Sequence, residues 1–148
     1  MWYPTLMAEI RPFSPGDLDD VLALCAAERW NSWTADRERA ARRLMAPGVT
    51  TMVAVDWARV VGFAQMLSDG EVQAYLAIVV VDRERRRLGI ARALIVEAVQ
   101  RAGGERVDLL SEEGAQAFYE GFTHRRVPGF RIYPMLAGPA HTAVESAV

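Results

Sequence analysis

A chain of 148 residues, 51% hydrophobic and 24% charged, is the size of one domain and apolar enough to build a core. Its 17 basic and 19 acidic residues nearly cancel, which excludes a general electrostatic pull toward nucleic acid or an anionic membrane. Every basic residue is arginine, so Schiff-base chemistry, a lysine general base and a P-loop lysine are all excluded. The lone cysteine, Cys25, excludes an internal disulfide and a cysteine-rich zinc site, and no spacing of metal ligands occurs. Residues 1–7 lack the basic head and apolar body of a secretion signal, and no run reaches the roughly 20 apolar residues of a membrane helix. These features predict a cytoplasmic protein without membrane or nucleic-acid partners.

Ala8 to Phe13 reads as a first strand. Ser14 followed by Pro15 marks a helix start, and Leu18, Val21, Leu22, Leu24 and Cys25 give it one apolar face. Trp30 to Trp33 reads as a break, after which Thr34 is expected to cap a second helix that stops at Ala46-Pro47-Gly48. Three strands are expected over 50–56, 59–67 and 72–81, joined at Trp57-Ala58 and at Asp69-Gly70. Gly62 inside the second of these predicts a bulge or the close approach of another group. A helix over 90–101, a strand over 107–110, a short helix over 114–119 and a last strand over 130–135 complete the series, with a frayed tail from Ala137. Interleaved strands and helices without an internal linker predict a single α/β (α+β) domain with its core in residues 8–135.

The most informative stretch runs from Val79 to Ala91. A buried strand ends in an arginine-rich turn, and Gly89 and Ala91 then open an amphipathic helix. Backbone N–H groups at a helix start lack intrahelical partners and carry partial positive charge. With small residues at their approach, they form a cradle suited to a pyrophosphate, to which Arg86, Arg87 and Arg92 add charge. The alternative reading is a plain strand-to-helix turn with solvated arginines. Asp82 and Glu84 interrupt the basic cluster and no aromatic residues interleave it, which disfavours a nucleic-acid site.

Arg86-Arg87-Leu88-Gly89-Ile90-Ala91 fits the signature Q/R-x-x-G-x-G/A, and the order of elements around it resembles the GNAT superfamily of acetyl-CoA-dependent N-acetyltransferases over residues 8–135. The resemblance implies a central mixed, mostly antiparallel sheet flanked by helices, with acetyl-CoA as co-substrate and no metal. It implies that Val79 and Val81 lend main-chain groups to the pantetheine arm and that Arg86, Arg87, Leu88, Gly89, Ile90 and Ala91 receive the pyrophosphate. It further implies that Tyr119 protonates the departing thiolate, with Glu112 standing where the family often has asparagine.

The remaining candidates come from the residues themselves. Glu71, acting directly or through water, is the candidate general base; its alternative is a solvated hairpin charge, and His124 is a second candidate. Trp30 and Trp33 are candidate walls of an acceptor pocket, with core packing or a homodimer contact as the alternatives, and Tyr75 is a candidate pocket residue. The implied reaction is transfer of an acetyl group to a primary amine, on a small molecule or a peptide, by direct attack in a ternary complex. The rival is a non-catalytic acyl-CoA sensor or interaction module that keeps the cradle and lacks the chemistry.

Overall fold

The computed structural model describes residues 8–135. They fall into two compact units, residues 8–109 and 110–135, so the expected tail from Ala137 lies outside the described residues.

The larger unit is built on a five-stranded sheet in the order β1-β2-β3-β4-β5. Strand β1 (Glu9–Pro12) pairs antiparallel with β2 (Val49–Asp56), and β3 (Arg59–Ser68) and β4 (Gln73–Val81) continue the antiparallel meander. Strand β5 (Arg106–Asp108) adds to β4 in parallel, as it must after a crossover through helix α4 (Ile90–Ala102). Helices α1 (Leu18–Ala27), α2 (Asn31–Thr34) and α3 (Arg37–Met45) fill the connection from β1 to β2. The expected mixed, mostly antiparallel sheet flanked by helices is therefore the architecture found.

Helices α1 to α3 pack one face of the sheet through Val21, Cys25, Trp33 and Leu44 against Val53, Phe63, Ile78 and Val80. Helix α4 brings Ala93, Leu94 and Ala98 against β1 to β4. Two bulges set which strand residues face which layer. Val61 is extra between the pairs Ala54–Gly62 and Val55–Val60, beside the glycine that predicted it. Ala77 is extra between Met66–Leu76 and Gln65–Ile78, so Leu76 and Ile78 face opposite layers although they are two residues apart.

Two segments differ from the sequence reading. Trp30 to Trp33 is not a plain break: Arg29 ends α1 in a left-handed conformation (φ 61°), Trp30 N–H reaches back to Cys25 C=O, and the chain then re-enters helix at Asn31. The cap of α3 is Asp36, whose carboxylate accepts the Arg39 N–H at 3.0 Å, because Thr34 is taken up in α2. The far end of α3 is closed by side chains of the sheet: the Thr51 hydroxyl donates to Leu44 C=O and the Gln65 amide to Arg43 C=O, both at 2.8 Å.

The smaller unit holds helix α5 (Gln116–Glu120). Phe118 stacks edge-on against Tyr119 and Phe122, with ring centroids 5.0 and 5.6 Å away. The strand expected over 130–135 does not form. Phe130, Ile132 and Met135 are more than four-fifths exposed, and no described strand pairs with them. The β-like pattern of this stretch therefore lacks the ladder partner that makes a strand.

Candidate active site

The site begins where β4 outruns its neighbour. Pairing with β5 covers only Gln73, Tyr75 and the alanine between them, so Leu76 to Val81 have no strand partner on that side among the described residues. Beyond the end of β4, the Asp82 N–H donates to Val61 C=O on β3 at 2.8 Å. Since main-chain groups of successive strand residues point to alternate edges, those of Val81 and Val79 point to the open edge. An extended ligand can pair there as an added strand does.

The turn after β4 forms the second part of the candidate site. Asp82 accepts the Glu84 N–H at 3.0 Å and starts a short 3-10 turn, Arg83–Arg85. Arg87 and Gly89 are then both left-handed, with φ 65° and 82°. Glycine takes this conformation freely; at Arg87 it is a strained setting of the kind that collects at ligand sites. The first bond of α4 runs from Ala93 N–H to Gly89 C=O, so the amides heading the helix point out of its end. Helices α1 and α3 carry Asp19, Asp20 and Glu38 in their first turns, whereas α4 carries no acid there. The positive end of its dipole is left for an external anion. Arg86, Arg87, Leu88 and Gly89 are exposed, Ala91 is half-buried, and Ile90 is buried and anchors the helix to the core.

The arginines are not equivalent. Arg85 reaches Asp56 at 2.9 Å and fixes the turn to β2. Arg86 folds back, its Nε donating to Val81 C=O at 3.1 Å and its Nη2 to Glu28 at the end of α1 at 2.5 Å. A cleft of about 410 Å³ lies between α1 and the turn after β4, and Glu28 is part of its lining. Sequence reasoning missed Glu28, which lies 58 positions before its partner and belongs to no motif.

Other candidates are dispersed. Trp33 is wholly buried, edge-on to Phe63 at 6.2 Å, with the Arg43 guanidinium 3.5 Å over its ring. It packs in the core, the alternative that the sequence left open beside an acceptor contact. Trp30 is half-buried and packs on the same cluster. Tyr75 is half-buried at the last β4–β5 pair, where the open edge begins. Glu71 is exposed in the turn before β4, its N–H donating to Asp69 at 2.8 Å. A strand rises about 3.3 Å per residue, so Glu71 sits a full strand length from the arginine turn, outside the open stretch. Cys25 is buried, and burial pushes its thiol up to about 12, which makes it inert.

In the smaller unit, Tyr119 is half-buried, and its pKa is raised first by that burial and then by the Glu112 carboxylate. Both effects hold the phenol in its protonated form. His124 is exposed, with Nδ1 2.8 Å from Phe122 C=O. No cluster of side chains suited to a metal ion occurs among the described residues.

Comparison with known proteins decides the family. Residues 17–131 match the model of the acetyltransferase (GNAT) domain, well over half of the chain. The chain belongs to the GNAT acetyltransferase family. It is thus an acyltransferase, and acetyl transfer is its reaction class. A putative acetyltransferase from Agrobacterium tumefaciens is 26% identical, with a TM-score of 0.69 over 84% of this chain and 99% of that one. A GNAT-family acetyltransferase from Streptococcus pneumoniae is 25% identical, with a TM-score of 0.67 over 86% and 98%. An aminoglycoside acetyltransferase from a soil metagenome, solved with sisomicin, shares the fold at 18% identity, with a TM-score of 0.68 over 88% and 97%. No curated protein matches the sequence. No helix among the described residues is long and apolar enough to cross a membrane.

Proposed function

We propose that this GNAT acetyltransferase takes its acetyl group from acetyl-CoA and delivers it to a primary amine of a small molecule, by direct attack while both are bound. The observation that carries the reading is the open β4 edge from Leu76 to Val81, which leads into the left-handed turn and the acid-free start of α4. The main-chain groups of Val79 and Val81 have the orientation to hold an extended pantetheine chain, and the amides heading α4 have the polarity to hold a pyrophosphate. A side chain at Gly89 would both oppose its left-handed backbone and crowd that anion.

Acetyl-CoA supplies a thioester whose carbonyl carbon is open to attack by an unprotonated amine. The chain's own part is to hold the donor extended and to give a proton to the departing thiolate, while the attacking nitrogen loses a proton to water as the amide forms. Tyr119 is assigned that proton because it stands where the GNAT family often has a proton-donating tyrosine; a phenol is protonated at neutral pH, and burial and Glu112 raise its pKa further. The whole chain is taken to work as one acyltransferase domain.

The test is release of free thiol from acetyl-CoA across a panel of primary amines. Turnover is expected with at least one amine, and Tyr119→Phe should lower kcat about 100-fold at unchanged acetyl-CoA affinity. Binding of CoA without turnover on any amine would leave only the sensor role.

A further inference from the structure

We propose that Glu28 is a positioning residue that acts through Arg86 and limits the affinity of the donor cradle. The proposal rests on the assignment of the α4 start to a pyrophosphate. Arg86 immediately precedes the left-handed Arg87, so its guanidinium lies next to the turn that would receive the anion. It is nonetheless committed elsewhere, donating through Nε to Val81 C=O and through Nη2 to Glu28, the residue that caps α1.

Each of these contacts competes with a phosphate. Paired with Glu28, the guanidinium has part of its charge neutralised and one of its donors taken. Its Nε occupies the Val81 carbonyl, a group that points to the same open edge as Val79 and is needed by a pantetheine amide. Glu28 is thus placed to hold Arg86 across the end of that edge until a stronger anion draws it away. The exchange is inexpensive. The Arg86 side chain is 48% exposed and that of Glu28 is 22% exposed, so solvent screens the pair and both groups can be rehydrated as they part. A phosphate oxygen offers the same guanidinium a partner of greater charge. When it does so, the link between α1 and the turn after β4 is released.

The sign of this effect sets it apart from a structural role. A residue that merely braced the cradle would weaken donor binding when removed, whereas a competitor strengthens it. Glu28 lies at a helix end with its side chain partly exposed, and Glu28→Gln preserves its shape, so the variant should fold; its melting temperature serves as the control.

The experiment is calorimetric titration of CoA into the wild type, Glu28→Gln, Arg86→Gln and the double variant. Removing a half-exposed ion pair that competes with the ligand should tighten CoA binding about two- to five-fold in Glu28→Gln. Arg86→Gln should weaken it, and the double variant should equal Arg86→Gln, because Glu28 has no influence once its partner is gone. Unchanged or weaker binding in a well-folded Glu28→Gln protein overturns this proposal and leaves the cradle intact. Tightening that persists without Arg86 overturns it also, since the carboxylate would then act by its charge alone. Wild-type protein that takes up no CoA overturns the cradle itself, and this proposal with it.

Discussion

Gly62 sits where a methyl group would be tightly crowded. A Cβ there would lie 3.0 Å from Val80 C=O and 3.3 Å from side-chain carbons of Leu94 and Val81, in a wholly buried layer between sheet and helix. Gly62→Ala should cost about 1–3 kcal/mol as overpacking, read from the urea midpoint at unchanged slope; a change under about 0.5 kcal/mol would show that the layer yields. Asp17 makes a pH-dependent contribution. Its carboxylate receives two hydrogen bonds from Arg11, at 2.8 and 2.9 Å, and one from the Ser14 N–H. The Arg11 bond is the main cause of its lowered pKa, against an opposing effect of burial. Because the folded value lies below the unfolded one, the stability it lends is present above an unfolded pKa of about 3.9 and is lost as pH falls through the folded value. Asp17→Asn should therefore lower stability at pH 6, with the gap from wild type closing as both are acidified; a constant gap would assign the loss to packing.

Elements were legible where the sequence carries punctuation. Gly89 and Gly103 bracket α4, and Asp69 organises its turn by accepting N–H bonds from Glu71, Val72 and Gln73. Where an unusual residue fills a special conformation, the signal is missing: Arg29 occupies the left-handed position that glycine normally advertises, so the turn into α2 read as a break. The bulge at Ala77 was equally hidden, because the apolar run from Ala74 to Val81 has no polar alternation to interrupt. The β2–β3 connection was legible in position but not in cost. Trp57 and Ala58 both have positive φ, 50° and 61°, the pattern of a type I′ turn, which favours Asn-Gly. Trp57 is 88% exposed and has little packing to offset that conformation. Replacing the pair by Trp57→Asn with Ala58→Gly should raise stability by about 1–2 kcal/mol. Denaturant unfolding measures this, and a loss of stability would mean that the exposed indole has a partner of its own.

At the scale of the molecule, the proposed pyrophosphate cradle could be read from six residues, but the open strand edge beside it could not. That edge depends on β5 being only three residues long and on the bulge that turns Val79 and Val81, neither of which a local pattern encodes. Both halves of the proposed donor site, the end of β4 and the start of α4, are rooted in the core of residues 8–109 through Ile78, Val80, Ile90 and Leu94. A ligand held between them should therefore stabilise that unit as a whole and not a loose loop. Binding to the folded state alone adds about 2.7 kcal/mol when free ligand is 100 times its Kd. For a chain of this length each kcal/mol moves the melting temperature by about 2–4 °C, so saturating CoA should raise it by roughly 5–10 °C. Pantetheine, which lacks the pyrophosphate, should give a smaller shift. Gly89→Glu, with bulk and negative charge at the helix start, should melt within a few degrees of the unliganded wild type and show no CoA shift at all. A full shift in Gly89→Glu would place the anion elsewhere on the surface, and equal shifts for CoA and pantetheine would remove the helix start from donor binding while leaving the open strand edge in place.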